Sequence, residues 1–159
     1  MEKRFSNELI TVIEKGDLES VVQFISKGAD VNNADQNGNT PLMYASMRGF
    51  ADTARFLLDN GADVNARNAQ GVTPLTYACR NNHVGVLRLL VSRGADVNVP
   101  DRDGGTALTF ASKSGNLEIV RLLVEHGADL NFRDHDGDTP LMCAINGKFA
   151  GIINFLISR

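Results

Sequence analysis

Three histidines and two cysteines are the residues of this 159-residue chain best suited to metal binding or nucleophilic chemistry. Cys79 and His83 are four apart, the spacing that puts two side chains on one helix face. A thiolate beside an imidazole is a nucleophile pair or half of a zinc set. Structural zinc, however, takes four Cys or His ligands at short paired spacings, and no second pair accompanies this one. His126 and His135 stand apart from it and from each other. The run Asp134-His135-Asp136-Gly137-Asp138 alternates carboxylates as a calcium loop does. Such a loop needs glycine sixth and glutamate twelfth, whereas here glycine is fourth and Ile145 is twelfth, so a turn is the expected reading. No Gly-rich loop ends in Lys-Ser/Thr, and no Gly-x-Ser-x-Gly occurs. Catalytic residues, cofactor and metal are therefore each assigned as none. An enzyme centred on Cys79 and His83 stays an outlying alternative, to be revived by selective alkylation of Cys79 at neutral pH.

Composition and charge narrow the range of partners. Sixteen Lys and Arg against nineteen Asp and Glu give a net charge of −3 and a pI near 5.6. That balance provides no broad positive field to draw in nucleic acid or an anionic membrane. No apolar run reaches the roughly 18 to 20 residues that span a bilayer. Glu8, Glu14, Lys15 and Asp17 break the segment where a secretory leader would need its apolar stretch. The expectation is a cytoplasmic, monomeric protein with no nucleic acid and no membrane among its partners. Cys79 and Cys143 are then free thiols in a reducing compartment.

The elements that carry these residues repeat. Gly28, Gly61, Gly94 and Gly127 are 33 apart, each inside a Gly-Ala-Asp-Val/Leu-Asn string. Gly38, Gly71, Gly104 and Gly137 keep the same step, followed by Thr40, Thr73, Thr106 and Thr139. Leu42, Leu75, Leu108 and Leu141, then Ala45, Ala78, Ala111 and Ala144, run in register with them. A fixed period of this size means units that bury their apolar faces only by stacking. The units are 1–34, an atypical N-terminal cap, then 35–67, 68–100 and 101–133, and a shortened C-terminal cap at 134–159, all in one domain.

Each unit has a local logic. The threonines can cap a helix whose first position is Pro41, Pro74, Ala107 or Pro140. Helices are expected at about 41–48, 74–81, 107–114 and 140–147. Gly49, Asn82 and Gly115 can close them in a left-handed conformation, and Lys148 is the odd member of that column. Second helices are expected at about 51–60, 84–93, 117–126 and 150–158, with apolar residues at the three-and-four spacing of an amphipathic face. With neighbouring helices about 8 to 10 Å apart, Cys79 and Cys143 lie too far apart for a disulfide.

These strings resemble the ankyrin repeat, with its Thr-Pro-Leu-His-x-Ala signature. Gly38-Asn39-Thr40-Pro41-Leu42, Gly71-Val72-Thr73-Pro74-Leu75 and Gly137-Asp138-Thr139-Pro140-Leu141 match it outright, and Gly104-Gly105-Thr106-Ala107-Leu108 differs at one place. The resemblance implies an all-α solenoid of helix-turn-helix units joined by β-turn/hairpin loops. The signature histidine, which in the family ties the capping threonine to a neighbouring turn, is here Met43, Thr76, Thr109 and Met142, which puts a repeated hydrogen bond in doubt. Asn32, Asn65, Asn98 and Asn131 resemble asparagines that are hydroxylated in some ankyrin proteins of animal cells.

Solenoid curvature makes the side formed by turn tips and first helices an extended concave surface. The resemblance implies that the variable residues there touch partners: Met47, Arg48, Arg80, Asn81, Arg102, Lys113 and His135. Arg80, Lys113 and Arg102 suggest a protein partner with an acidic patch, the alternative being a solvated face that binds nothing. Phe132 and Val99 stand where Ala66 would be usual, and Phe132 is either a contact for a partner or packing under the next turn. Tyr44, Tyr77, Phe110 and Cys143 form a column expected to fill the core. The expected function is non-enzymatic protein binding, with a regulatory or inhibitory subunit that blocks a partner enzyme as the alternative.

Overall fold

The computed structural model describes residues 2–159, with side chains from residue 8 onward. Among the described residues there are ten helices and no strand: α1 Glu2–Glu14, α2 Leu18–Ser26, α3 Pro41–Arg48, α4 Ala51–Asp59, α5 Pro74–Arg80, α6 Val84–Ser92, α7 Ala107–Ser114, α8 Leu117–Glu125, α9 Pro140–Asn146 and α10 Ala150–Ile157. They pair as α1/α2, α3/α4, α5/α6, α7/α8 and α9/α10. First helices pack in the series α1, α3, α5, α7, α9, and second helices in the series α2, α4, α6, α8, α10. No described helix is long and apolar enough to cross a membrane.

The helices begin as the threonines dictate. Oγ1 of Thr40, Thr73, Thr106 and Thr139 accepts the N–H of Met43, Thr76, Thr109 and Met142 at 3.3, 3.2, 3.4 and 3.3 Å. Proline or Ala107 follows at the first helical position, where an N–H has no intrahelical partner. The missing signature histidine is partly replaced. Thr106 N–H donates to Thr109 Oγ1 at 2.8 Å, and Thr40 N–H to Met43 Sδ at 3.4 Å, closing a reciprocal cap in both units. In the unit between them, the Thr73 and Thr76 hydroxyls bond each other at 3.0 Å.

The core runs the length of the stack. Ala45, Ala78, Ala111 and Ala144 are fully buried, and so are Leu57, Leu90 and Leu123 of the second helices. Small residues in the first column let neighbouring helices approach, while each buried leucine contributes about 2 kcal/mol. The αL column also behaves as expected: Gly49 and Gly115 sit at φ 77, and Asn82 and Lys148 at φ 58. For lysine that conformation costs about 1 kcal/mol. His83 uses its Nε2 to donate to Met47 O of the preceding unit at 3.0 Å.

Candidate functional site

The turns that open the units are built alike. Asp35, Asn68, Asp101 and Asp134 each begin one, and each accepts with a single side-chain oxygen from the N–H groups two and four residues on. For Asp101 those donors are Asp103 at 3.0 Å and Gly105 at 2.8 Å. The turn is closed by Gly104 N–H to Asp101 O at 3.1 Å and Asp101 N–H to Gly105 O at 3.0 Å. This column was not singled out in the sequence, although Asp, Asn, Asp, Asp at a 33-residue step is an Asx-turn signal.

Neighbouring turns are then tied edge to edge. Ala69 N–H donates to Asn37 O at 2.9 Å, Arg102 N–H to Gln70 O at 2.9 Å, and His135 N–H to Asp103 O at 3.2 Å. One backbone bond per junction lines the four Gly-x-Thr segments along a common edge, beside the row of first helices. This inner face is the surface the variable residues share.

Its charges are largely met within the molecule. Arg80 reaches the buried Asp101 carboxylate of the next turn and lays its guanidinium 4.0 Å over the Phe110 ring. Lys113 makes the equivalent bond one unit on, Nζ to Asp134 Oδ2 at 2.9 Å. Arg48 pairs with Glu14 at 3.0 Å. Burial pushes the Asp134 carboxyl up, but the Lys113 ammonium and the turn N–H groups outweigh it and hold the group below its ordinary value. Asp35 is likewise lowered, burial being outweighed by the Tyr44 hydroxyl, at 2.7 Å, and by backbone N–H groups. The Tyr44 phenol is pushed up to about 12 by burial and by Asp35. The positive stripe read from sequence is thus balanced by carboxylates at Arg80 and Lys113, whereas Arg102 is exposed and forms no ion pair among the described residues.

Arg80, Lys113 and His135 line a cavity of about 360 Å³ between the third and fourth turns, together with Asp103 and Asp136. Gly105 opens it: a Cβ there would lie 2.5 Å from the Phe110 ring, which leans into the space that Asn39 and Val72 fill in other units. Met47, Arg48, Asn81, Arg102 and Phe132 lie outside this cavity. Met47 is half-buried, Asn81 is exposed with its amide on Tyr77 O at 2.9 Å, and Phe132 is half-buried outside the main apolar core.

The family model for ankyrin repeats, in its three-copy form, matches residues 9–101 and again 94–159. The chain belongs to the ankyrin-repeat family. A search of curated proteins finds no match. Ankyrin repeats are generally protein–protein interaction modules and typically non-enzymatic. Cys79 is fully buried, donates its Sγ–H to Ala107 O at 3.0 Å, and is pushed up to about 12 by burial. Its thiol faces the next unit while His83 faces the previous one, so the two are not a nucleophile pair. Both cysteines are buried and unpaired. Asp134, Asp138 and Cys143 place ligand atoms within 4.8 Å of one another, but Asp134 is committed to its turn and to Lys113.

The aromatic column needs one amendment. Tyr44 and Phe110 pack against the core as expected but stay half-buried, while Tyr77 is half-buried outside the main apolar cluster. The two tyrosine hydroxyls serve the turns, Tyr44 bonding Asp35 and Tyr77 lying 3.1 Å from both Asn39 Oδ1 and Asn68 Nδ2. The Gly-Ala-Asp-Val-Asn strings also do more than turn the chain. Asn32, Asn65 and Asn98 each clamp the following unit, donating to Gly61 O, Gly94 O and Gly127 O and accepting from Asp63, Asp96 and Asp129 N–H.

Proposed function

We propose that this ankyrin stack is a docking module that performs no reaction and holds a partner protein against its inner face. The turn tips from Gln36 to His135 and the exposed ends of α3, α5 and α7 form the contact. The observation that carries this reading is the unbroken edge of backbone bonds between turns, which fixes the variable side chains on a stiff frame. A partner meeting preorganised side chains loses little conformational freedom in binding them. An acidic patch on the partner would bind Arg102 first and compete with Asp101 and Asp134 for the open sides of Arg80 and Lys113, whose side chains are 35% and 46% exposed.

The test is affinity purification from the native lysate with three baits: the wild type, Arg102→Glu with His135→Glu, and Arg55→Glu on the outer helix α4. None of these substitutions removes an ion pair seen here. A protein that co-elutes with the wild type and with Arg55→Glu, and is lost from the double variant, supports the inner face. Equal recovery from all three rules it out.

A further inference from the structure

We propose that the cavity between the third and fourth turns is a socket for one arginine side chain of the partner protein, paired with the Asp103 and Asp136 carboxylates beside the Phe110 ring. This rests on the inner-face reading and deepens it by naming the group that the partner inserts.

The cavity is a local departure from the repeat. Asn39 and Val72, both buried, stand where the third unit has Gly105. In those two units the ring column is tyrosine, and each hydroxyl is tied to a turn: Tyr44 to Asp35, Tyr77 to Asn39 and Asn68. The third unit lacks both groups, with glycine in place of the filler and phenylalanine in place of tyrosine. Phe110 has no hydroxyl to anchor it, and its ring lies 2.5 Å from where a Cβ on Gly105 would be. Arg80 now holds the turn carboxylate, Asp101, that a tyrosine hydroxyl holds at Asp35. What opens is about 360 Å³, walled in part by a ring that already carries one guanidinium at 4.0 Å.

Charge decides what enters. Arg80 and Lys113 are each matched by a buried turn carboxylate, Asp101 and Asp134. Asp103 and Asp136 also line the cavity, are exposed, and form no ion pair among the described residues. Two carboxylates are therefore left without a cation, in adjacent turns joined by His135 N–H to Asp103 O at 3.2 Å. An anionic group would add to this excess, whereas a cation completes the set. Arginine suits the space better than lysine. Its planar guanidinium carries five donors, enough to reach carboxylates in two turns, is weakly hydrated, and stacks on aromatic faces; an ammonium is a compact, strongly hydrated point charge. Arg102 stands outside the cavity on the same turn as Asp103. It is left for an acidic group of the same partner, so a segment with arginine next to an acidic residue fits both.

Titrating N-acetyl-arginine methylamide into isotope-labelled protein, read by amide NMR shifts, tests this, with the lysine and glutamate counterparts as comparisons. Saturable shifts are expected at 103–105, 135–136 and Phe110, with a dissociation constant on the order of 1–10 mM for so small a ligand. The lysine compound should bind more weakly and the glutamate compound should leave these amides unmoved. Asp103→Asn with Asp136→Asn should weaken arginine binding about tenfold or more. Their backbone N–H groups, not their carboxylates, serve the turns, so the fold is kept. Gly105→Val, patterned on Val72, should fill the socket and abolish the shifts. Three results would each overturn the proposal: no saturable shift with the arginine compound, an equal or larger response to either comparison compound, or binding unchanged by the paired asparagines. Used as bait, the asparagine pair separates this from the inner-face reading. A partner that keeps binding the pair but is lost from Arg102→Glu with His135→Glu overturns the socket alone, while one retained by both baits overturns the inner face as well.

Discussion

The side-chain oxygen of Asn65 accepts the backbone N–H of Asp96 at 2.8 Å while its Nδ2 donates to Gly94 O at 3.3 Å, so one amide ties the end of the second unit to the end of the third. Asn32 and Asn98 repeat the arrangement at their own junctions. Because the clamp joins units, its loss acts on the coupling between neighbours.

Asn65→Ala is expected to cost about 1 kcal/mol for each bond that water does not replace. The thermal midpoint should fall by about 2–4 °C per kcal/mol. Calorimetry of the variant should also show a broader transition, because nearest-neighbour coupling sets cooperativity in a stack. Asn131, whose side chain makes no such clamp among the described residues, serves as the control: Asn131→Ala should leave the midpoint unchanged. Equal effects at the two positions would refute the clamp.

Acid should unfold the protein partly through Asp134 and Asp35. Both carboxyls titrate below the ordinary 3.8 in the folded chain, so between that value and the lowered one the unfolded state binds more protons. Their contribution is complete above about pH 4 and is lost as the pH falls through the lowered values. Lys113 has the opposite sign: its bond to Asp134 raises it above 10.5, so its contribution holds below that pH and is lost on going further alkaline. Asp134→Asn keeps an oxygen for the turn, as Asn68 does in its unit. Its midpoint should drop less between pH 7 and pH 3 than that of the wild type, by differential scanning fluorimetry. Parallel pH profiles would contradict the assignment.

How far the sequence could be read depends on what a residue bonds to. Thr40, Pro41 and their counterparts act within four residues of themselves, so the first helices begin where their types require. Gly49 and Asn82 announce a left-handed ending by their own steric freedom, and the same reasoning marked Lys148 as the misfit. Contacts between units were not legible. Arg80 and Lys113 look like a positive patch until the turn 21 residues on brings Asp101 and Asp134 against them. Asn65 looks like turn chemistry until Gly94, 29 residues on, arrives beside it.

Ser112→Ala should stabilise the protein. Ser112 Oγ is buried and makes no hydrogen bond among the described residues, whereas Ser46 in the same column donates to Leu42 O at 2.7 Å. An unsatisfied buried hydroxyl costs about 1–3 kcal/mol, so Ser112→Ala should raise the urea midpoint while Ser46→Ala should not. A lower midpoint for Ser112→Ala would count against this.

Met43→His should also raise the unfolding midpoint, because an imidazole nitrogen is a better acceptor for Thr40 N–H than the sulfur 3.4 Å away. The gain is expected to be about 1 kcal/mol. Thr76→His, where the hydroxyl pair already exists, should give a smaller rise. A fall in both variants would show that the threonine and methionine caps are the better fit.

Amide hydrogen exchange of the stack, alone and bound to the protein recovered by affinity purification, is the most direct measure of where binding occurs. Added protection is predicted at 36–39, 69–72, 102–105 and 135–138 and along α3, α5 and α7, with α4, α6 and α8 unchanged. Protection confined to those second helices, with the turn edge exchanging as in the free protein, would contradict the inner-face account.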